Sequence, residues 1–319
     1  MKKCLMLFAF AAFAVSCKKE DKVTEAVEAI PVETTIERFD KLFYESSPED
    51  LAQLKSKYPF FFPQGNPDTV WTNKLNNPLL QELYGEVKKK YPNNDAFEND
   101  LEDLFKRIQY YYPEYKTPKV ITLISEVDTD AKAIYADTLV LLSLDTYLGK
   151  NHRFYEGFPQ YQRQGFEPSQ MMPDLVANFS QGKIAPPTDR TLLAQMVYFG
   201  KELYMKDMLL PETTDGAKME YTDDQIKWCK ENEEEIWRYF IENKLLFDTD
   251  TKLMQRFIAV GPYSKFYLEI DNESPGRIGQ WIGWQIVRSY MKNNDVTMQK
   301  MLATDAKQIF DNSKYKPKK

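Results

Sequence analysis

The side chains that most often do chemistry in proteins are scarce in this chain. Of 319 residues only His152 is a histidine, and Cys229 is the only cysteine beyond the first 17 residues. A zinc site of the HExxH type needs two histidines, and Ser–His–Asp or Cys–His catalysis needs one that is well placed. His152 follows an expected strand in a polar loop, where we predict a solvent-exposed side chain rather than a ligand or base. These counts exclude the common zinc-hydrolase and triad chemistries.

Cys17 has a different chemistry, because the residues before it form an export signal. Two early lysines precede an apolar run from Leu5 to Val15, which is too short to span a bilayer. The segment Ala14-Val15-Ser16-Cys17 resembles a bacterial lipobox, although a lipobox usually has Leu where Ala14 stands. That resemblance implies loss of residues 1–16 and acylation of Cys17 by palmitate-like chains, two or three of which give stable anchoring. An ordinary signal peptide with a coincidental cysteine is the alternative.

The charge balance argues against nucleic acid as a partner. The full chain has 42 Lys+Arg and 48 Asp+Glu, and loss of two lysines with the signal leaves 40 against 48. Nucleic-acid-binding surfaces are basic. No apolar run in the sequence is long enough to cross a membrane, so we expect attachment through lipid alone.

The hydrophobic spacing predicts a mostly helical α+β fold with a small central β-sheet. Helical patterns begin at Thr35 and resume from Pro168 onward, and a Thr222–Gln225 capping box marks one helix start. Two short β-branched runs in between, Val120–Ile124 and Ala136–Leu144, indicate a pair of strands. We therefore expect a flexible tether over residues 17–34 and one globular domain over residues 35–319.

The most distinctive segment runs from Ser274 to Val287 and is rich in glycine and tryptophan. Its Ser-Pro start predicts a helix that extends to about Asn293. The glycines lie on one helix face and allow another backbone to approach closely. This helix forms either a groove for a partner, with Arg277 holding a carboxylate at the helix N-terminus, or a buried core helix, which we favour. The candidate groove residues are Ser274, Gly276, Arg277, Gly279, Trp281, Gly283 and Trp284.

Other chemically capable clusters have simpler interpretations. Tyr110-Tyr111-Tyr112 with Tyr115 could stack on sugar rings, although an aromatic helix end is more often core. The acidic run from Glu231 to Glu235 suits a solvated helix face. No pair of carboxylates stands out for glycoside hydrolysis. A Ca²⁺ site could form from Asp128, Asp130 and Asp137, but these residues lack the EF-hand pattern. We expect no metal site and no cofactor.

Several C-terminal segments together resemble the gliding-motility lipoprotein GldB family of Bacteroidota. With the lipobox, the similarity covers nearly the whole chain. It implies a lipid-anchored envelope component that is required for gliding and associated with the type IX secretion machinery, and it implies no biochemical activity. Besides Ser274–Val287, the segments are Asp145–Gly149, Tyr198–Tyr204, Tyr221-Thr222 with Trp228, Glu235–Trp237 and Gly261–Lys265.

The order of elements is also similar, more distantly, to zincin-like predicted metallopeptidases. Those carry HExxH on the helix after the strands and a Glu-Gly pair on the next helix. Here Met171–Phe179 has neither the histidines nor the catalytic glutamate, and the later pair is Phe199-Gly200. The resemblance implies a degenerate zincin-like fold whose metal site has been lost, because such a site needs three protein ligands and an activated water.

We therefore expect a protein that is not an enzyme and that acts through contacts with other gliding and secretion proteins of the envelope. The alternative is a lipoprotein that binds or processes an envelope polymer, peptidoglycan or polysaccharide. Lys18-Lys19-Glu20-Asp21 loosely resembles the surface-export signals of Bacteroidota lipoproteins. This slightly favours the outer membrane over the inner membrane.

Overall fold

A four-stranded sheet lies at the centre of the fold. The computed structural model describes residues 22–269 and 271–318, so Cys17 and the signal peptide lie outside the described residues. The strands are β1 (Ile36–Arg38), β2 (Lys119–Leu123), β3 (Ala133–Ala136) and β4 (Leu139–Ser143), in the spatial order β1-β2-β4-β3. β2 pairs in parallel with β1 and β4, whereas β3 and β4 form an antiparallel hairpin.

Both faces of the sheet are covered by the protein. Successive residues of a strand point to opposite faces, and in β2 both Val120 and Ile121 are buried. Val120 belongs to the larger core, with Val140 of β4 opposite it. Ile121 belongs to a smaller core on the other face, together with Phe39 and Tyr58. A sheet that is buried on both faces explains why its strands are short, continuous apolar runs.

Helices surround the sheet and continue to the C-terminus. Most have one buried apolar stripe, and α9 and α14 are the long helices at the centre of the larger core. In chain order the helices are α1 (residues 22–28), α2 (Phe39–Tyr44), α3 (Leu51–Lys57), α4 (Asp68–Leu75), α5 (Pro78–Lys90), α6 (Glu98–Tyr111), α7 (Gln160–Arg163), α8 (Met171–Gln181), α9 (Leu192–Leu209), α10 (Asp215–Met219), α11 (Asp223–Glu231), α12 (Glu233–Glu242), α13 (Lys252–Phe257), α14 (Ile278–Asn293), α15 (Met298–Ala303) and α16 (Ala306–Ser313).

α9 and α14 cross with their backbones in contact. A Cβ atom on Gly283 would overlap the carbonyl oxygen of Met196, and one on Gly200 would overlap the backbone of Gly283. Gly279 is similarly close to α13, since its Cβ would lie 2.9 Å from the carbonyl oxygen of Phe257. The predicted close approach of other backbones to Gly279 and Gly283 is confirmed, and the approach at Gly200 was not predicted.

The strand pair is confirmed, and the sheet is larger than predicted. The run Ala136–Leu144 divides at a turn in which Asp137 has φ 47°. Ala136 is the last residue of β3, and β4 begins after the turn at Leu139. The prediction of a helix from Thr35 is wrong for the first turn. Residues 36–38 instead pair with the open edge of β2, because tertiary pairing overrides a weak local pattern over so few residues.

Helix boundaries also differ from the prediction at three places. The Thr222–Gln225 capping box is confirmed, and the helical pattern that it starts is interrupted at Asn232 between α11 and α12. The helix predicted from Ser274 begins only at Ile278. In the expected tether, residues 22–28 are helical and Val27 is buried. The flexibility of the tether stays a prediction.

The described residues form a single α+β domain, mostly helical with a small central sheet, as the sequence predicts. Its zincin-like character stays a prediction. Within residues 22–269 and 271–318, no helix combines the length and the apolar character that crossing a membrane requires.

Candidate functional site

The candidate groove on α14 is filled by the protein itself. Trp281 and Trp284 are 1% and 0% exposed, and their rings pack edge to face with centroids 5.7 Å apart. A Cβ on Gly276 would overlap the carbonyl oxygen of Gly261. The packing is therefore that of the buried core helix, the alternative that the sequence analysis favours.

Ser274 does not cap α14. Its hydroxyl oxygen lies 2.9 Å from the carbonyl oxygen of Ser264 and 2.7 Å from that of Asp271. Ser264 provides the capping hydroxyl instead, since its Oγ accepts a hydrogen bond from the Ile278 N–H at 3.1 Å. The two serines hold the loop before α14 in place, and the capping side chain comes from outside the predicted motif.

Arg277 does hold a carboxylate, and that carboxylate belongs to the protein. Its Nη1 lies 3.2 Å from Oε2 of Glu220, and its Nη2 donates to the Met219 carbonyl at 2.5 Å. The guanidinium also lies over the Tyr221 ring, 5.5 Å from its centroid. Arg277 therefore joins the start of α14 to the end of α10, and its donors face the protein.

Glu220 is the first of several neighbouring charged groups that are largely buried. The Lys132 ammonium lies 2.5 Å from Oδ2 of Asp174 and 3.9 Å from Oε1 of Glu220. The Tyr147 hydroxyl donates to Asp174 at 2.9 Å. Burial raises the pKa of Asp174 even though Lys132 opposes it. At Glu220 burial acts in the same direction, but the charges of Arg277 and Lys132 outweigh it and lower the pKa.

A second set of charges surrounds Arg288 on the next turns of α14. Its guanidinium makes two 2.7 Å contacts with the Asp207 carboxylate and one of 2.8 Å with Asp215. Asp207 also accepts from Nε1 of Trp284 at 2.9 Å and pairs with Lys218 at 3.0 Å. This bidentate geometry is the strong form of an arginine–carboxylate pair. Trp284 is thus a core residue whose one polar atom has a partner.

Lys206 of α9 lies between the two sets. Its ammonium is 3.1 Å from Oε1 of Glu202 and donates to the carbonyl of Lys218 at 3.3 Å. We refer to the whole arrangement as the charge cluster. Its buried and half-buried members are five cations and five carboxylates, and the exposed Lys230 lies at its border, 3.9 Å from Asp215. The ten members are Lys132, Lys206, Lys218, Arg277 and Arg288 with Asp174, Glu202, Asp207, Asp215 and Glu220.

The charge cluster connects the start of β3 to α8, α9, α10 and α14, and its charges balance. Ammonium and guanidinium groups lie between the carboxylates. Among the residues that the structure describes, no group of three or more His, Cys, Asp or Glu side chains could hold a metal ion. A balanced, partly buried ion network of this kind stabilises one arrangement of the helices when every member is paired.

Lys201, from the segment Tyr198–Tyr204, is a further buried cation. Its ammonium donates to the carbonyls of Leu302 at 3.0 Å and Thr304 at 2.6 Å, where α15 ends. Burial lowers its pKa to about 8. The contact is the favourable one between a cation and a helix C-terminus.

The prediction that His152 is solvent-exposed is wrong. Its Nδ1 accepts from the N–H of Phe154 at 3.4 Å, and its Nε2 lies 3.4 Å from Oε2 of Glu86. The ring also stacks on Phe154, with centroids 5.6 Å apart. His152 therefore caps a helical turn and contacts α5, which is a structural role.

The weaker candidates mostly lie in or against the core. Tyr112 and Tyr115 pack edge to face on Phe179, as expected for an aromatic helix end. Glu233 contradicts the solvated acidic face, because it is buried and accepts from the Tyr315 hydroxyl at 2.9 Å. Of the aspartates considered for Ca²⁺, Asp128 accepts from the backbone N–H of Asp130. Cys229 is a free, buried thiol.

The charge cluster was not predicted, although one signal for it was available. Arg288 follows Trp284 by four residues and therefore lies on the same helix face. The carboxylates that it contacts are far away in sequence, and no local pattern identifies them.

Comparison with known proteins gives one family. The family model described as gliding motility protein GldB matches residues 20–317, which is almost the entire chain. No curated protein and no solved structure matches.

Proposed function

The chain belongs to the GldB family of gliding motility lipoproteins, and from this we propose that it is a non-catalytic component of the gliding apparatus. It would be anchored in the envelope through lipid on Cys17, and the outer membrane is slightly favoured over the inner membrane. It would be associated with the type IX secretion machinery and act through contacts with other envelope proteins. The family match over residues 20–317 is the observation that carries this proposal.

The charge cluster supports the non-catalytic part of the proposal. A general acid or base must reach the atom that it protonates or deprotonates. Asp174 instead contacts the Lys132 ammonium and the Tyr147 hydroxyl, and Glu220 contacts Arg277. The members that most resemble catalytic carboxylates therefore have protein partners. Burial raises the pKa of Asp174 against the opposing charge of Lys132, and the charges of Arg277 and Lys132 lower the pKa of Glu220.

An apolar replacement separates a structural from a chemical role for the cluster. The triple variant is Lys132→Met, Asp174→Leu and Tyr147→Phe. It removes the Asp174 carboxylate together with the ammonium and the hydroxyl that contact it, and Glu220 keeps its pairing with Arg277. Replacing a buried ion pair by apolar groups of similar size is often neutral or stabilising. We expect normal gliding, normal protein abundance and an unchanged or higher Tm.

The control is the same replacement at an exposed pair, Lys307→Met with Asp311→Leu, which lies outside the charge cluster. Loss of gliding in the triple variant at normal abundance and Tm would assign a chemical role to the cluster and contradict the proposal. Crosslinking in cells identifies the protein neighbours on which the proposal depends.

The alternative is binding or processing of an envelope polymer. Of the four tyrosines that suggested it, Tyr112 and Tyr115 pack on Phe179, and the two tryptophans of α14 are buried. The observations therefore favour protein contacts. Incubation of the protein with insoluble peptidoglycan and polysaccharide tests the alternative, and retention that excess soluble polymer competes away would favour it.

A further inference from the structure

A pocket on the C-terminal half of the domain has a volume of about 260 Å³, and its lining is half apolar or aromatic and half polar or charged. Ligand sites for small molecules usually exceed about 300 Å³. The pocket is therefore suited to one or two large side chains from a partner. We refer to it as the α12 pocket. Its apolar walls are Trp228 of α11, Ile236 and Tyr239 of α12, and Phe266 and Leu268 of the loop before α14.

The loop beside this pocket is fixed in a conformation that exposes apolar side chains. Tyr267 is 72% exposed and Leu268 is 52% exposed. The carboxylate of Asp271 accepts from the backbone N–H groups of Phe266, Tyr267 and Leu268 at 2.9, 2.8 and 3.2 Å. Tyr267 has φ 63°, a conformation that costs a non-glycine residue about 1–3 kcal/mol. The loop bears this strain while two large side chains remain in solvent.

The base of the loop is also braced. The Tyr239 hydroxyl donates to the Phe266 carbonyl at 2.7 Å, and Arg256 donates to the Lys265 carbonyl at 2.8 Å. Phe266 packs against Phe240 and Phe257 of the core, with ring centroids 6.3 and 5.2 Å away. A surface whose side chains are already ordered loses less conformational entropy when a partner binds.

Carboxylates border the pocket. Glu235 and Glu242 lie seven residues apart on α12 and both line it, together with Arg238. Arg238 is already paired with Glu234 and Glu235, at 3.6 and 2.9 Å. Glu242 has no ion-pair partner among residues 22–269 and 271–318. The border of the pocket therefore has an excess of negative charge that complements a basic partner.

We propose that the α12 pocket binds a peptide segment of another envelope protein, one that inserts a large aliphatic or aromatic side chain flanked by Lys or Arg. The inserted side chain would be the anchor, since interface energy concentrates in a few apolar residues seated in pockets. A flanking cation would pair with Glu242, whose carboxylate has no ion-pair partner among the described residues. This inference rests on the proposed function, because it names the surface and the chemistry of the protein contact.

The test places a photoreactive amino acid at position 268 of the full-length lipoprotein in gliding cells. Position 79 provides a matched control, because Leu79 is a leucine of similar exposure, 57%, on α5. We expect a protein adduct from position 268 and none from position 79. Digestion and mass spectrometry should locate the adduct in a partner segment in which Lys or Arg neighbours a large apolar residue.

Charge reversal provides the second arm. Glu242→Lys should lower the adduct yield from position 268 by about tenfold, as expected for the loss of one good interface contact. Glu156→Lys reverses an exposed glutamate outside the pocket and should leave the yield unchanged. Any one of four results overturns the inference: no adduct, equal adducts at both positions, an adduct with polysaccharide or lipid, or a yield that Glu242→Lys does not change.

Deletion of the gene separates the two proposals. If deletion abolishes gliding but position 268 gives no adduct, the proposed function stands and the pocket assignment fails. If the adduct has the expected chemistry but the deletion strain glides and secretes normally, the pocket assignment stands and the proposed function fails.

Discussion

Glu220 and Arg277 form an ion pair in which both residues have a left-handed backbone, with φ 54° and 64°. Each such conformation costs about 1–3 kcal/mol in a residue other than glycine. The pair joins the end of α10 to the start of α14, and it lies beside Lys132 and Asp174. The contacts of the charge cluster offset the backbone strain on both sides of this junction.

Arg277→Ala should therefore destabilise the domain by about 2–3 kcal/mol, because it leaves Glu220 partly buried without its closest cation. Arg238→Ala is the control, since that arginine pairs with glutamates on an exposed helix face and should cost less than about 1 kcal/mol. Urea unfolding of both variants measures the difference. Equal effects would show that the Glu220–Arg277 pair adds little to stability.

Gly283→Ala should be among the most damaging small substitutions. The added methyl group would overlap the Met196 carbonyl, so α9 and α14 would have to separate, at a cost of about 3 kcal/mol or more. Gly85→Ala on α5 is the matched control, because a Cβ there meets nothing within 4 Å and alanine favours the helix by about 1 kcal/mol. Thermal unfolding should show opposite signs for the two variants.

Asp145 should make the domain more stable at mildly acidic pH than at neutral pH. Burial raises its pKa from 3.8 to about 6, although the N–H groups of Ser125 and Val127 favour the ionised form. An acid whose pKa is higher in the folded state binds its proton more tightly there. Stability from Asp145 is thus gained as pH falls from about 6 to below 4 and is lost as pH rises again.

Comparison with Asp145→Asn isolates this contribution, because the other titrating groups are common to both proteins. From pH 7 to pH 4 the difference in unfolding free energy should move in favour of the wild type by about 2–3 kcal/mol. A difference that is flat over this range would show that Asp145 keeps an ordinary pKa.

Protein purified without a histidine tag should retain no stoichiometric zinc after dialysis. The chain has a single histidine, and its Nδ1 is engaged by the Phe154 N–H. Elemental analysis is the measurement. One zinc per chain, together with chelator-sensitive cleavage of casein, would contradict both this expectation and the non-catalytic proposal.

Mass spectrometry of the mature N-terminus should find an acylated Cys17 and no trace of residues 1–16. Cys17→Ser should release the protein from the membrane fraction, because acyl chains provide the attachment. A mature chain that begins elsewhere without lipid, or a Cys17→Ser protein that stays firmly in the membrane, would rule out the anchor.

Local features of the fold could be predicted from the sequence, and long-range pairings could not. The Thr222–Gln225 capping box spans four residues, and glycine spacing alone indicates that a backbone approaches Gly283. The same spacing does not identify the approaching backbone, which is that of α9. The Arg288–Asp207 contact joins residues 81 apart in sequence, so no periodicity reveals it. His152 was misjudged for the same reason, since its partner Glu86 lies on a distant helix.

β1 has a mechanical consequence if the chain is anchored through Cys17, as proposed. It is an edge strand of three residues, and it is preceded by α1, whose Val27 is buried. Tension between the membrane and the domain would therefore act first on the packing of Val27 and on the few hydrogen bonds between β1 and β2, before it reaches the crossing of α9 and α14. We expect α1 and β1 to detach first under load, with that crossing remaining intact. Single-molecule pulling from the N-terminus should show a small early extension before the main unfolding event.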